Sequence, residues 1–301
     1  MFNDYLSRVL VTGATGFVGR ALVDRLQSAS VPLLLPRYLN IAAVDMAGVS
    51  TLIHLAARVH VMRDTAADPL AAFRAVNVEA TLALASQAAG AGVRRFVFVS
   101  SVKVNGEATA LGHPFTERDA PAPQDAYAVS KWEAEHGLRQ IAQDTGMEVV
   151  IIRPPLVYGP GVKANFAALM RAVQRGLPLP LGAVHNLRSL VGLDNLVDFI
   201  LTCARHPAAA NQSFFVSDGA DLSTPDLVRA MARAAGRPAR LFSVPVAALA
   251  ALAGLLGKRA AVDRVCSSLQ VDISKARALL QWAPPLRLDQ CLDRAFAVPA
   301  Q

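Results

Sequence analysis

The segment Val9-Leu10-Val11-Thr12-Gly13-Ala14-Thr15-Gly16-Phe17-Val18-Gly19 limits what this chain can fold into more than any other stretch. An apolar run stops at three glycines spaced GxxGxxG, and Arg20 to Ser28 then carries Leu22, Val23 and Leu26 at helical intervals. Gly13 permits a tight turn out of a strand, Gly16 lets the backbone approach a pyrophosphate, and Gly19 lets helix and strand pack closely. The helix N-terminus, with unpaired amides and a positive end, then faces the anion. Thr15, Phe17 and Val18 complete this candidate dinucleotide-binding turn.

The rest of the chain repeats the alternation. Strands are expected at Arg8 to Val11, Val31 to Leu35, Thr51 to Ala56, Arg95 to Ser100, Glu148 to Arg153 and Asn211 to Ser217. Helices are expected at Arg20 to Ser28, Asp68 to Ala89, Tyr127 to Gln143 and Thr224 to Ala235, the last opened by Ser223-Thr224-Pro225. The run RFVFVS from Arg95 is apolar on both faces, as a buried parallel strand requires. Strands alternating with helices predict an α/β fold, a Rossmann-type doubly wound parallel sheet. After Pro154 and Pro155 the chain turns to short helices and Pro-rich connections. We therefore expect a dinucleotide-binding domain over residues 1–160, with a returning segment near 188–217. Residues 161–187 and 218–301 would form a smaller C-terminal substrate-binding lobe.

Composition narrows the partners. The chain has 301 residues, 53% apolar and 18% charged, which suits a globular enzyme and excludes a disordered chain. Its net charge of +7 is scattered, with no basic run longer than Arg94-Arg95, so no nucleic-acid partner is expected and a bias toward small anions is. Cys203, Cys266 and Cys291 lie far apart without metal-ligand spacing, so no metal site is expected. A sparse, odd cysteine count and a first ten residues unlike a secretory leader point to the cytoplasm. The longest apolar stretch, Val244 to Leu256, is too short to span a bilayer, which takes about 20 residues. It is expected as a buried or groove-covering helix, with a membrane-surface role as the alternative and no stable insertion.

Tyr127-Ala-Val-Ser-Lys131 places a phenol and an ammonium four residues apart, on one helix face. A free tyrosine has a pKa of about 10, too high for efficient proton transfer near neutrality, and a nearby cation lowers it. Lys131 also reaches a cofactor ribose in this reading, and Ser101, just past the buried strand, donates a hydrogen bond to the substrate oxygen. The acid that usually follows the second strand to hold a ribose is missing, and Arg37 stands near that place. An arginine there binds a ribose phosphate, favouring NADP, or simply points into solvent. The short linker from Leu35 to Thr51 implies an abbreviated adenine pocket.

Together these segments resemble the extended short-chain dehydrogenase/reductase family, the nucleotide-sugar epimerase, dehydratase and reductase group. The resemblance is carried by GATGFVG, His54-Leu55-Ala56-Ala57, Asn77-Val78, SSVKVNG, YAVSK, IIRPPLVYGPG from Ile151, RSLVGLDNLV from Arg188, and DISKARALLQWAP from Asp272. It implies NAD or NADP as cofactor, with Ser101, Tyr127 and Lys131 as the catalytic triad. His54, Leu55, Ala56, Ala57, Asn77 and Ser100 would lie along the cofactor, and Pro154 and Val157 by the nicotinamide. Asn165 and Arg188 would grip the diphosphate of a UDP-sugar, where a guanidinium pairs well with phosphate oxygens. Val102 and Lys103 would line the substrate side, and the family often dimerises through the helix carrying YxxxK.

Three chemistries share such a scaffold. A 4,6-dehydratase typically follows its Ser/Thr with Asp-Glu, whereas Ser101 is followed by Val102-Lys103. A 4-epimerase holds NAD tightly, while a 4-ketoreductase uses a dissociable cofactor. The missing ribose acid, and Asn105 where many epimerases have the tyrosine of V-Y-G, lean toward reduction. The chain resembles bacterial reductases that convert UDP-4-keto-6-deoxy-N-acetylglucosamine to UDP-N-acetylquinovosamine for surface polysaccharide. Epimerisation of a UDP-hexose is the alternative, and a non-catalytic NAD(P)-binding regulator is disfavoured because Ser101, Tyr127 and Lys131 are all present.

Overall fold

The computed structural model describes residues 6–36, 44–59, 68–255, 257 and 259–297. Strands β1 (Val9–Thr12), β2 (Leu33–Leu34), β3 (Thr51–His54), β4 (Arg95–Val99), β5 (Glu148–Arg153) and β8 (Ser213–Phe215) form one sheet in the order β2-β1-β3-β4-β5-β8. Every neighbouring pair is parallel. A second, two-stranded sheet pairs β6 (Leu156–Tyr158) with β7 (Leu190–Gly192).

Period-two alternation sorts the strand side chains onto two cores. Val9 and Val11, Ile53, Val97, and Val150 and Ile152 face one side, where α1 (Phe17–Ser28) and α6 (Leu193–Arg205) pack. Leu10, Leu52, Phe96, Phe98, Val149 and Ile151 face the other, against α3 (Ala80–Gly90) and α4 (Ala126–Thr145). With helices on both faces, strands read as unbroken apolar runs, which explains RFVFV and EVVII. The chain leaves β1 for β2 on one side and returns to β3 on the other. This switch of direction opens a crevice at the carboxyl ends of β1 and β3.

A third core joins Tyr158 to Phe166, Met170 and Val173 of α5 (Ala164–Gln174), Leu227 and Met231 of α7 (Thr224–Ala234), and Leu292 of α11 (Leu288–Ala297). Between α7 and α11 lie α8 (Val246–Leu255), α9 (Arg259–Cys266) and α10 (Ser274–Leu280).

Three readings of the sequence are corrected. The helix expected from Asp68 to Ala89 is three pieces: α2 (Pro69–Arg74), a π turn at Ala75–Glu79, and α3. The extra residue in the π turn swings Asn77 inward, an insertion that leaves no mark on apolar periodicity. The second strand shrinks from Val31–Leu35 to two residues. Of the apolar stretch from Val244 to Leu256, α8 (Val246–Leu255) is a surface helix and not a buried one: only its Ala253 is buried, while Leu252 and Leu255 are 59% and 87% exposed.

At the first turn, Gly13 has φ +70°, and a Cβ on Gly19 would sit 2.0 Å from the carbonyl oxygen of Gly13. Overpacking at Gly19 has backbone as its obstacle, so Gly19→Ala is expected to cost about 3 kcal/mol. Gly112 also has positive φ, +76°, but nothing lies within 4 Å of its added Cβ. Gly112→Ala should therefore cost only the left-handed backbone penalty of about 1–2 kcal/mol. Thermal unfolding of the two variants checks this; equal melting temperatures would refute the close helix–strand contact.

Candidate active site

The glycine turn closes on itself through a bond from the Gly16 amide to the Gly13 carbonyl at 2.9 Å. Gly16 caps α1 without a side chain, and the first turn holds no acidic residue, so the positive helix end is left open. A Cβ on Gly13 would lie 2.6 Å from the Ala56 amide nitrogen, so turn and post-β3 segment touch backbone to backbone. Thr12, Gly13, Ala14, Thr15 and Ala56 line a cavity of about 640 Å³ with Arg20, Val23 and Asp24 of α1 and Leu35 and Pro36 after β2. A cradle that excludes side chains and presents an uncapped helix end fits a dinucleotide diphosphate. Arg37 lies outside the described residues.

Beneath the turn, His54 is buried, with Nδ1 2.7 Å from the Thr12 hydroxyl and Nε2 3.0 Å from the Thr81 hydroxyl. Burial, and then the charge of Lys131, lower its pKa to about 3, so the ring is neutral. Asn77 is equally enclosed. Its Oδ1 accepts from the Arg58 amide at 2.8 Å, and its Nδ2 donates to the Arg58 carbonyl and the Ser130 hydroxyl, each at 3.0 Å. Both residues, expected beside a cofactor, spend their polar atoms on protein and hold the segment Leu55–Arg58 in place.

Helix α4 begins at Asp125, whose carboxylate accepts from the Ala128 amide at 2.7 Å. Tyr127 and Lys131 follow on its inner face. The Lys131 ammonium donates to the Val99 carbonyl at 2.9 Å and lies 4.4 Å from the Phe98 ring centre. Burial pulls its pKa down to about 7, partly opposed by Glu135. Burial, then the Asp125 charge, push Tyr127 up to about 12, against a hydrogen bond from Ser101. The expectation that Lys131 lowers the Tyr127 pKa is therefore not met. Desolvation is the largest cause, and the carboxylate capping the helix repels a phenolate.

Ser101 also accepts from the Lys103 amide at 3.2 Å and starts a short 3₁₀ turn, Val102–Val104. The Val102 amide donates to the Pro154 carbonyl at 3.0 Å, which brings the ends of β4 and β5 together beside Tyr127. Lys103, read as substrate-facing, instead donates to Asp125 at 2.6 Å and Glu107 at 2.8 Å. It staples this loop to the start of α4.

Sequence reasoning missed the polar core behind these groups. Glu135, one turn beyond Lys131, accepts from Ser100 at 2.6 Å and from Arg153 through two of its guanidinium nitrogens. Arg153 donates onward to Asn105 at 2.8 Å, and Asn105 to the Asp119 carbonyl. Asn105 is thus a buried structural link, so its replacement of a family tyrosine says nothing direct about the reaction. The visible signal was Arg153 itself, a charge directly after the apolar run Val149–Ile152 of a parallel strand.

Of the remaining candidates, Val157 lies in β6, and Asn165 is exposed in the first turn of α5. Arg188 is half-buried, and its Nη1 donates to the carbonyls of Arg264 at 2.8 Å and Ser267 at 3.0 Å.

Residues 9–216 match the NAD dependent epimerase/dehydratase family. A protein of Vibrio cholerae named UDP-glucose 4-epimerase is 46% identical over 97% of this chain and 94% of its own length. The solved structure of MoeE5 with UDP-glucuronic acid and NAD is 26% identical, with a TM-score of 0.75 over 96% of this chain and 98% of that one. The fold also matches RMD of Pseudomonas aeruginosa complexed with NADPH, 23% identical, TM-score 0.76, over 97% and 98% of the two chains. The family so matched is one described as NAD dependent.

Buried Lys131 carries a pH signature. Its pKa drops from 10.5 to about 7 on folding, so between those values the unfolded chain holds the extra proton. This group's contribution to stability therefore rises with pH across that window by up to ~1.4 kcal/mol per unit, and levels off below it. The unfolding free energy of the wild type minus that of Lys131→Met, from urea titrations, should climb from pH 7 upward. A pH-independent difference would mean the ammonium is solvated.

Proposed function

The chain belongs to the NAD dependent epimerase/dehydratase family, and on that premise we propose that it transfers hydride at C4 of a UDP-linked hexose, reducing a 4-keto sugar. The names of the 46% identical Vibrio cholerae protein and of the MoeE5 complex support a UDP-sugar as substrate. The observation that carries reduction is the ribose end of the cavity. There β2 runs into Leu35 and Pro36 with no acidic residue directly after the strand, the carboxylate in the cavity being Asp24 of α1, while Arg20 lines the same cavity. An arginine beside a missing acid suits a ribose phosphate and a cofactor that comes and goes.

The residues divide the work. The amides of Phe17, Val18 and Gly19 hold the diphosphate, and Lys131 turns to the nicotinamide ribose, with Pro154 and Val157 bordering the ring. When bound, the reduced dinucleotide supplies the hydride. Ser101 donates a hydrogen bond to the C4 oxygen. Tyr127, held near 12, is protonated at neutral pH and so loaded to donate its proton to that oxygen. Arg188 and Asn165 face the substrate diphosphate in this reading. Elimination is disfavoured, since Val102 is buried and Lys103 is ion-paired where a dehydratase needs two carboxyl groups.

A second reading, epimerisation with resident NAD, is favoured by the name of the Vibrio cholerae relative. The purified protein is to be mixed with UDP-4-keto-6-deoxy-N-acetylglucosamine and NADPH or NADH while absorbance at 340 nm is followed. Substrate-dependent oxidation is expected, with Tyr127→Phe reducing kcat about 10²–10⁴-fold. Interconversion of UDP-glucose and UDP-galactose without net cofactor change would replace reduction by epimerisation.

A further inference from the structure

Helix α8, VAALAALAGL, has no polar face, and among the described residues the protein leaves most of it uncovered. Leu252 and Leu255 are exposed, Val246 is 36% exposed, and Phe242 just before the helix is 49% exposed. These are neighbours in the chain and not the scattered single apolar residues normal on a surface. The apolar edge continues to exposed Leu177, since the Leu179 backbone pairs with Arg240 and Phe242.

Charge around this helix is predominantly basic, with Asp226 and Asp263 at the two ends of the stretch. From Leu227 to Val262 the chain holds no acidic residue, and the six basic ones are Arg229, Arg233, Arg237, Arg240, Lys258 and Arg259. Arg237 and Arg240 are exposed before α8, and after it the Arg259 side chain is 72% exposed and lies 3.9 Å from the exposed Asp263 carboxylate, a loose surface pair. We propose that α8 and these flanking arginines dock the protein reversibly on the surface of an anionic phospholipid bilayer. Ten helical residues extend about 15 Å, half the hydrocarbon thickness, so the helix lies in the interface and does not cross. No helix among the described residues is long and apolar enough to cross a membrane. Apolar side chains enter the acyl boundary, and the arginines meet phosphate headgroups. A second copy of the chain fits less well, because joining two such faces opposes their arginines.

The docking face adjoins the cleft. Arg188 donates to carbonyls at the end of α9, the helix packed against α8, so a docked molecule presents the Arg188 side of its site toward the bilayer.

The test is sedimentation of the full-length protein with vesicles of phosphatidylcholine, alone or with 40 mol% phosphatidylglycerol added (roughly the anionic content that attracts basic segments). Binding to the anionic vesicles should exceed that to phosphatidylcholine at least ~10-fold and fall as salt rises. Leu252→Glu/Leu255→Glu should abolish it while leaving activity and hydrodynamic mass unchanged. The milder Leu255→Ser, at the most exposed position, should weaken binding and covers the case of misfolding in the double variant. Absence of wild-type protein from both vesicle pellets would overturn the proposal. So would a double variant that drops to a smaller oligomer, which would assign the face to a second copy.

Discussion

The buried pair of Glu135 and Arg153 is the interaction from which the site takes its shape. Taking two charges out of water is costly, and the attraction between them offsets that only with good geometry and further hydrogen bonds. Here Arg153 meets the carboxylate with two nitrogens, Ser100 and Arg139 add their own donors to it, and Asn105 takes the remaining guanidinium arm. Glu135 and Arg139 come from α4 and the other partners each from a different element, so α4, the ends of β4 and β5, and the loop after β4 share one polar knot. The opposite end of the same helix is tied by Lys103 to Asp125. Tyr127 and Lys131 sit between the two anchors, and their positions follow from both.

Those anchors also explain the electrostatics. The knot keeps water from the inner face of α4, and a dry site disfavours either charged form, raising the tyrosine and lowering the lysine. The same dryness reaches the phosphate-binding turn. Lys131 lies over Phe98, Phe98 stacks on His54 at 5.9 Å, and His54 bonds to Thr12 at the foot of the turn. A second cation at His54 would face the Lys131 ammonium across that ring. Neutral histidine is therefore part of the arrangement that lets a lysine sit so deep.

Much of this was legible in the residues. The glycine spacing, the strand–helix alternation and the YxxxK pair foretold a parallel Rossmann-type sheet and the groups at its centre, because close backbone approach and helical periodicity are local constraints. What stayed hidden was set by tertiary contact. Nothing near Asn77 announces a π turn. Glu135 reads as one acid among several on a helix until β5 delivers Arg153. Lys103 looks like a free cation until the loop folds back onto Asp125. Conversely, the low pKa expected for Tyr127 rested on a single pair, whereas the outcome depends on desolvation and on the cap at the helix start.

Helix α8 is the most instructive difference, since its composition pointed inward and the fold turned it outward. Apolar content says which solvent a segment avoids and not where it goes; the helical moment decides which face turns in, and this helix has none. A helix apolar all round is stable in a protein interior or against lipid. The three cores described above are already closed by other helices, with α7 and α11 taking the places around Tyr158 that an extra apolar helix would need. With Ala253 alone buried, α8 lacks an interior home among the described residues. Its arginine flanks and its link through α9 to Arg188 give the exposed position a direction, toward a negatively charged, apolar-backed surface beside the site.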